Sequence, residues 1–548
     1  MLISKKWLSQ YMDLSDLSIE EIAERITNAG LEVEGIEKGA QATNLVIGHV
    51  ESCVDHPDSD HLHVCQVDVG SDIRQIVCGA PNVAAGQKVI VALPGAKLPG
   101  GEIKEGVIRG QQSNGMICSL LELGVDAKSL NDAQKAGIEI LGEDAEVGST
   151  KVLEYLGLDD EVLDVSLTPN RSDCMAAFAM AKETGAILDR KVTLPDYRGA
   201  SAIGEPTALR VASESEKCPI YCGKIIREVT IKESPKWMKE LLMASNIKSI
   251  NNVVDISNLV MLETGQPLHF FDLNRLDKEE IIVRDDLQCK YTALDEAEYD
   301  IEPGDLMITV DGKPVAIAGI MGGDNSKIEA DTKGILIEAA IFDHVSVRNT
   351  SRRLNLNTDA SIRYQKGIEP DAPYAAMDRA VQLLIEYADA KGIEQTAYSA
   401  PWKVEQRTVE VNIDRINALL GTQFADAQMM DVLTRLDFAP VQTGRQIHVE
   451  IPSYRQDISM EADIAEEIIR MIGFDDLPST MPVMRLSAAG SARLANTADT
   501  LAPTKVATTH RISANGSGRP PMTKWDTAPV KAVNDMIKTL VPTAVLSS

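Results

Sequence analysis

A multidomain α+β protein is the fold class this sequence predicts, and three observations predict it. The chain has 548 residues, 44% of them hydrophobic, which suffices for about three or four separate cores. Helical periodicity in some segments gives way to short β-branched runs in others, with glycine and proline marking the changes. No run approaches the roughly 20 apolar residues of a membrane span, and the N-terminus lacks the apolar stretch and cleavage site of a secretory signal. The expected location is cytoplasmic.

Composition narrows the function classes. Eight cysteines form no CxxC pair, so reduced thiols are expected rather than a disulfide framework or a zinc ribbon. A formal charge of −28 excludes a general nucleic-acid coat, because phosphate binding needs a local excess of lysine and arginine. Neither DNA nor a membrane is an expected partner.

The first segment reads as a small α/β element. Ser18-Ile-Glu-Glu21 is a capping box, Ile19, Ile22, Ala23 and Ile26 lie at helical spacing, and Gly30 stops the helix before Leu31 to Ile36 alternates as a strand does. From Ala42 to Asp126 the short runs Leu45 to Ile47, Val64 to Val69, Gln75 to Val77 and Lys88 to Leu93 predict a small barrel. Cys53, His56, His61, His63 and Cys65 are a competing set of metal ligands, at spacings that fit no closed site. Thr168-Pro-Asn170-Arg171-Ser-Asp173-Cys174 then leads into a helix from Met175 to Leu188, which Asp173 can cap, and Asp189 to Glu205 reads as a linker.

Mixed α/β texture follows from Leu209 to about Ala400. Within it, Gln266-Pro-Leu-His269-Phe-Phe-Asp272 follows the apolar run Val253 to Leu262. A histidine just past Pro-Leu is expected on a loop, available for proton chemistry or for orienting a water; the blander alternative is a cap on a strand end. Val315 to Gly323 reads as a buried strand breaking into glycines that permit close backbone approach. Ile335-Leu-Ile-Glu338 places a carboxylate in another apolar run, where it needs a polar ligand or a nearby base. Arg348, Arg352, Arg353, Arg363 and Lys366 surround one acid, Asp359; they form either a solvated helix face or a phosphate-contacting rim.

A further α/β segment begins at Val409 to Ile413, continues through helices from Arg415 to Leu420 and from Met429 to Leu436, and ends in Asp463-Ile-Ala-Glu466-Glu467. Those three acids share one helix face, with Asp457 less than two turns before them. Acids in a first turn complement the helix dipole; if they bind anything, an all-oxygen set binds a hard cation such as Mg²⁺. Past Met484 glutamate vanishes, and Asp499, Asp526 and Asp535 face eight lysines and arginines. Residues 484–548 are expected to be a disordered tail.

Several motifs carry a family resemblance. The string from His56 to Cys65, with Cys78-Gly-Ala-Pro-Asn82, Pro94-Gly-Ala-Lys97, and Arg109-Gly ahead of Ser113 to Cys118, resembles the tRNA-binding OB fold attached to several synthetases. Thr168 to Cys174, taken with the N-terminal segment and the inserted barrel, resembles the β subunit of bacterial phenylalanyl-tRNA synthetase. The resemblance extends to Met484, and the altered composition beyond it looks like a truncation or a shifted reading frame.

The resemblance implies a domain plan: a split domain from 1–40 and 150–195, an inserted OB fold at 41–149, an editing domain at 206–400, and a small winged-helix-like α/β domain at 405–482. It implies that His269, Gly322, Glu338, Thr358 and Ala360 line a pocket that hydrolyses mischarged tyrosyl-tRNA(Phe). Asp457, Asp463, Glu466 and Glu467 match its Mg²⁺ spacing, at a site shared with the α subunit. Lys248 stands where many relatives have arginine. The implied partners are tRNA(Phe) and an α subunit in an α2β2 tetramer that charges tRNA with ATP on the α chain. The alternatives are a stand-alone tRNA-binding or editing hydrolase and an assembly-defective fragment.

Overall fold

The N-terminal strand Leu2–Ser4 pairs with Glu161–Ser166, which pairs in turn with Glu32–Lys38, so both ends of a long insertion meet in one antiparallel sheet. The computed structural model describes residues 1–474 and 477, apart from 41, 126, 128, 129, 203, 402–404 and the side chains at 133 and 201. Residues 1–474 form one unit, and the expected tail, 484–548, lies outside the described residues. Among these, no helix is long and apolar enough to cross a membrane.

The local signals of the first segment hold. Ser18 and Glu21 close a reciprocal capping box on the helix Ile19–Asn28, and Gly30 takes the left-handed φ of +97° that lets the chain leave the helix for its strand. Ile19, Ile22 and Ile26 are buried with Trp7 and Leu163.

The insertion folds as a strongly curved sheet. Its path runs Met116–Ile117, Lys88–Ala92, Leu45–Asp55, His63–Asp68, Ile73–Cys78, with Ile140–Leu141 also on Lys88–Ala92. Asn114 N donates to Gln75 O and Val77 N to Ser113 Oγ, drawing the two edges together. Alternation along the long strand sends Val46 and Val50 to one apolar cluster and Leu45 and Ile47 to another.

The region carrying the candidate site is a sheet buried on both faces. Its order is Leu268–Asp272, Ile335–Ile341, Ile220–Glu228, Lys391–Ile393, all antiparallel. Ile220, Cys222, Phe270, Ile335 and Ile337 face a cluster that includes Val253 and Leu259 of the helix Asn252–Thr264 and Ala380 of Ala372–Tyr387. Tyr221, Phe271, Leu336 and Ala340 face a second sheet, Arg210–Ser213, Glu280–Arg284, Met307–Val310, Lys313–Ile317, Met321–Gly322. Burial on both faces explains why Ile335–Ile341 reads as a nearly continuous apolar run, each large side chain contributing about 1.5–3 kcal/mol.

Asp173, expected to cap the helix Ala177–Leu188, instead pairs with Arg171, and His269 stands not on a loop but as the second residue of the strand Leu268–Asp272, close to the strand-end alternative. Pro267 stands just ahead of that strand, where its missing N–H costs no ladder bond.

The last described segment pairs Arg407–Asn412 with Gln446–Ile451 and Val441–Thr443, and packs them with the helices Ile413–Leu420, Asp426–Arg435 and Glu461–Ile472.

Candidate functional site

The helix Asn252–Thr264 delivers the chain to the site. Asn251 caps it by accepting from Val253 N and Val254 N, and Gly265 ends it in the left-handed region at φ +79°. Gln266, fully buried, then anchors the turn: its Nε2 donates to Pro267 O at 2.8 Å and Ala340 O at 3.1 Å, and lies 3.0 Å from the Tyr364 hydroxyl. Two strands are thereby pinned together just before His269.

His269 and Glu338 are directly opposite in the antiparallel ladder, with Gly223 on the far side of Glu338 in the same row. Cross-strand partners point to the same face, so both side chains enter the space between the two sheets. The imidazole stands edge-on to Phe271 at a ring distance of 4.5 Å. Its Nε2 is sealed from solvent without a hydrogen-bond partner among the described residues. Burial pulls the ring down to a pKa of about 4, so it is neutral at physiological pH. Burial pushes Glu338 the other way, up to about 8, against the opposing effect of a hydrogen bond from Tyr221. At neutral pH the pair is therefore an uncharged imidazole beside an uncharged carboxyl.

Gly322 closes against the histidine. A Cβ there would lie 2.3 Å from His269 Cε1 and 2.6 Å from Nε2, so no other residue fits without moving the ring. Thr358 is the N-cap of the helix Asp359–Lys366; it accepts from Ser361 N at 3.1 Å and donates to Ile320 O at 2.8 Å. That bond ties the helix start to the backbone two residues before Gly322. Ala360 sits in the helix's first turn, half-buried.

Other sequence-selected residues have different surroundings. Arg353 pairs with Asp305, and buried Arg363 bonds Asp359 and Met175 O, so both are occupied structurally. Arg348 is half-buried, and Arg352 and Lys366 are exposed; among the described residues no ion pair holds any of the three. Lys248 lines a cleft of about 1290 Å³ with Lys38 and Lys239, at the opposite end of Asn252–Thr264 from His269, and that 13-residue helix is roughly 20 Å long.

The four acids expected to bind Mg²⁺ lie near a buried ion network. Arg455 holds Asp457 with two hydrogen bonds, at 2.9 and 2.8 Å, and Glu467 with a third at 2.6 Å. Arg470 joins Glu467 to Glu183, and Arg171 joins Glu183 to Asp173. Burial opposes the ionised form of Glu467, but Arg470 and Arg455 prevail and hold it well below the usual carboxylate range. Asp463 caps the helix Glu461–Ile472 by accepting from Ser459 N and Met460 N. Among the described residues no hydrogen bond or ion pair holds the Glu466 carboxylate. There is also no convergent group of three or more histidine, cysteine or acidic side chains among them. That holds equally for the barrel's histidines and cysteines: Cys53 and Cys65 pair across strands with sulfurs 3.6 Å apart, while His61 contacts Asp60 and His63 lies 3.4 Å from Asp55.

Sequence reasoning missed Tyr221, Gln266 and Tyr364, which frame the His269–Glu338 pair. Gln266 stood in the motif that drew attention to His269. Tyr221 sits in an apolar run with nothing to distinguish it until strand register is known.

Comparison with known proteins adds three matched domain families. Residues 45–149 match the putative tRNA binding domain, 217–389 the B3/4 domain, and 409–474 the tRNA synthetase B5 domain. The chain is 42% identical over 499 residues to the phenylalanine-tRNA ligase beta subunit of Geobacillus kaustophilus, covering 89% of this chain and 62% of that one. Against the beta subunit of Streptococcus thermophilus strain CNRZ 1066 it is 42% identical over 489 residues, covering 88% and 60%. The chain thus spans about three-fifths of the length of these relatives. A solved N-terminal fragment of the phenylalanyl-tRNA synthetase beta subunit from Pyrococcus horikoshii overlays at a TM-score of 0.33 and 14% identity, covering 58% of this chain and 88% of that one, too loosely to carry an argument.

Proposed function

From the premise that this chain is a relative of the phenylalanine-tRNA ligase beta subunits, we propose that it is the editing and tRNA-binding subunit of such a ligase. In this reading an α subunit activates phenylalanine with ATP and charges tRNA(Phe) in a cytoplasmic α2β2 complex, while this chain hydrolyses tyrosyl-tRNA(Phe). Residues 45–149 serve as an OB-fold module for tRNA, and Arg348, Arg352 and Lys366 supply what remains of a phosphate-contacting rim.

The observation that carries the reading is His269 directly opposite Glu338, with Gly322 packed against the imidazole. Chemistry gives such a pocket its purpose. An apolar site shaped for phenylalanine rejects an added hydroxyl by only about 10²-fold, so tyrosine is charged in error at a measurable rate. A second site with a polar partner for that hydroxyl selects the wrong product. Glu338, uncharged and buried, is that partner. His269, with a pKa of about 4, is too weak a base to take a proton outright near pH 7, so it orients the attacking water by hydrogen bonding. The water oxygen adds to the ester carbonyl carbon, the bond to the ribose oxygen breaks, and the water's proton passes to that oxygen. Thr358, bonded to Ile320 O, and Ala360 shape the wall through which the ester is presented.

Magnesium belongs to the same proposal. Asp457, Asp463, Glu466 and Glu467 are its candidate ligands, but Asp457 and Glu467 are engaged by Arg455, so this chain alone offers chiefly Asp463 and Glu466. Waters and the α subunit would complete the coordination, as a hard cation that keeps several waters allows.

The reading is tested by combining the full chain with its α subunit and measuring assembly, phenylalanylation and tyrosyl-tRNA(Phe) hydrolysis separately. Assembly with both activities supports it. Hydrolysis without assembly favours a stand-alone hydrolase, and no hydrolysis under either condition contradicts the editing role.

A further inference from the structure

Tyr221 has no place in the motifs that led to the pocket, yet its hydroxyl donates to Glu338 Oε2 at 2.7 Å. It is fully buried, on the strand Ile220–Glu228, in register with Ala340 and so diagonal to Glu338. The residue directly opposite Glu338 on that strand is Gly223, where a Cβ would lie 2.9 Å from Leu209 Cδ2 and 3.0 Å from Val211 Cγ2. One side of Glu338 is thus hydrocarbon with a single phenol set in it, and the other side is His269. Among the described residues no donor is hydrogen-bonded to Oε1.

The titratable groups around Glu338 are Tyr221 on the strand Ile220–Glu228, Cys218 just ahead of that strand, Tyr364 from the helix Asp359–Lys366, and His269 on the facing strand. Burial raises both tyrosines and the cysteine and lowers the histidine, so all four are neutral near pH 7. With no fixed charge beside it, the carboxyl's orientation is set by the Tyr221 phenol.

We propose that Tyr221 is a positioning residue that sets substrate specificity: by occupying Oε2 it leaves Oε1 as the one carboxyl atom offered to a second phenol, that of an aryl-hydroxyl aminoacyl ester. The inference rests on the editing reading above. Its logic is that a carboxyl already holding one phenol has the right chemistry for another. A phenylalanyl ester brings no hydroxyl, and a buried polar atom left unpaired is what allows a site to reject an analogue strongly. Without Tyr221 the carboxyl can turn, and its second oxygen no longer has a fixed direction.

The test uses the full chain with its α subunit and three variants: Tyr221→Phe, Glu338→Ala and His269→Ala. Deacylation of tyrosyl-tRNA(Phe) and phenylalanyl-tRNA(Phe) is measured against pH. The titration of Glu338 is followed by the infrared carbonyl band of its protonated form, assigned by its loss in Glu338→Ala. Tyr221→Phe keeps the ring and should reduce the tyrosyl-over-phenylalanyl preference by about tenfold or more. It should also move the Glu338 midpoint upward, because the lost hydrogen bond favoured the carboxylate. 3-Fluorotyrosine at position 221, a stronger donor, should move the midpoint downward. An unchanged preference and midpoint in Tyr221→Phe, with Glu338→Ala and His269→Ala inactive, overturns the positioning role and leaves the editing reading standing. Full hydrolysis by Glu338→Ala and His269→Ala removes both.

Discussion

His269 and Glu338 are cross-strand partners, 69 residues apart in the chain and directly opposite in the ladder between Leu268–Asp272 and Ile335–Ile341. Burial takes the imidazole down to about 4 and the carboxyl up to about 8, so between those pH values both are uncharged. The functional expectations follow from that neutral pair.

Hydrolysis should not titrate with an ordinary histidine. Because His269 is already neutral well below pH 6, the rate should show no inflection near the usual histidine pKa of about 6.5. A pH profile from 5 to 7.5 checks this, and an inflection near 6.5 that disappears in His269→Gln would mean that the ring titrates.

Gly322→Ala should behave as a loss of His269. The new methyl would lie 2.3 Å from His269 Cε1, and overpacking of this kind typically costs about 1–3 kcal/mol. Hydrolysis should fall about 10²-fold together with a lower Tm. Normal activity would mean that the strand Met321–Gly322 yields freely.

Glu338 ties stability to pH in a definite direction. Its folded pKa is raised above the unfolded value of about 4.5, so the folded state binds the proton more tightly between about pH 4.5 and 8. Its contribution is fully present below that window and is lost as pH rises through 8. Glu338→Gln, which cannot ionise, should lose less stability between pH 6 and 9 than the parent. Denaturant midpoints across that range measure the difference, expected to be on the order of a few kcal/mol at most.

Arg455 should matter more for folding than for chemistry. Replacing it with methionine leaves Glu467 with one arginine, and breaking a buried pair costs about 3–5 kcal/mol. The double change Arg455→Met with Glu467→Met should cost less than Arg455→Met alone. A larger loss in the double variant would show that the hydrogen bonds, rather than charge balance, hold this junction.

Magnesium dependence should separate the two adjacent glutamates. Glu466→Gln should weaken Mg²⁺-dependent association with the α subunit, whereas Glu467→Gln should chiefly lower Tm because Arg455 and Arg470 hold that carboxylate. Calorimetry of association with and without Mg²⁺ distinguishes them.

Much of this architecture was legible because its signals are local. The capping box of Ser18 and Glu21, the stop at Gly30 and the short barrel strands each depend on a few neighbouring residues. His269, Glu338 and Gly322 were selected as residues, but that they meet depends on register between distant strands, which no local pattern records. The same gap misplaced His269 on a loop, since a strand flanked by proline looks like a turn until its partner is known. Tyr221 was invisible because an apolar run buried on both faces hides which residues share a face with Glu338. Arg455 also gave no warning, for a lone arginine two residues before an aspartate usually reads as solvent-exposed.

The measurement that bears most directly on the central claim is hydrolysis of tyrosyl-tRNA(Phe) by the full chain with its α subunit, comparing the parent with His269→Ala and Glu338→Ala at matched folded fraction. The account predicts that both variants lose about 10²-fold or more in hydrolysis while phenylalanylation by the complex persists. Parent-level hydrolysis in both variants would contradict it.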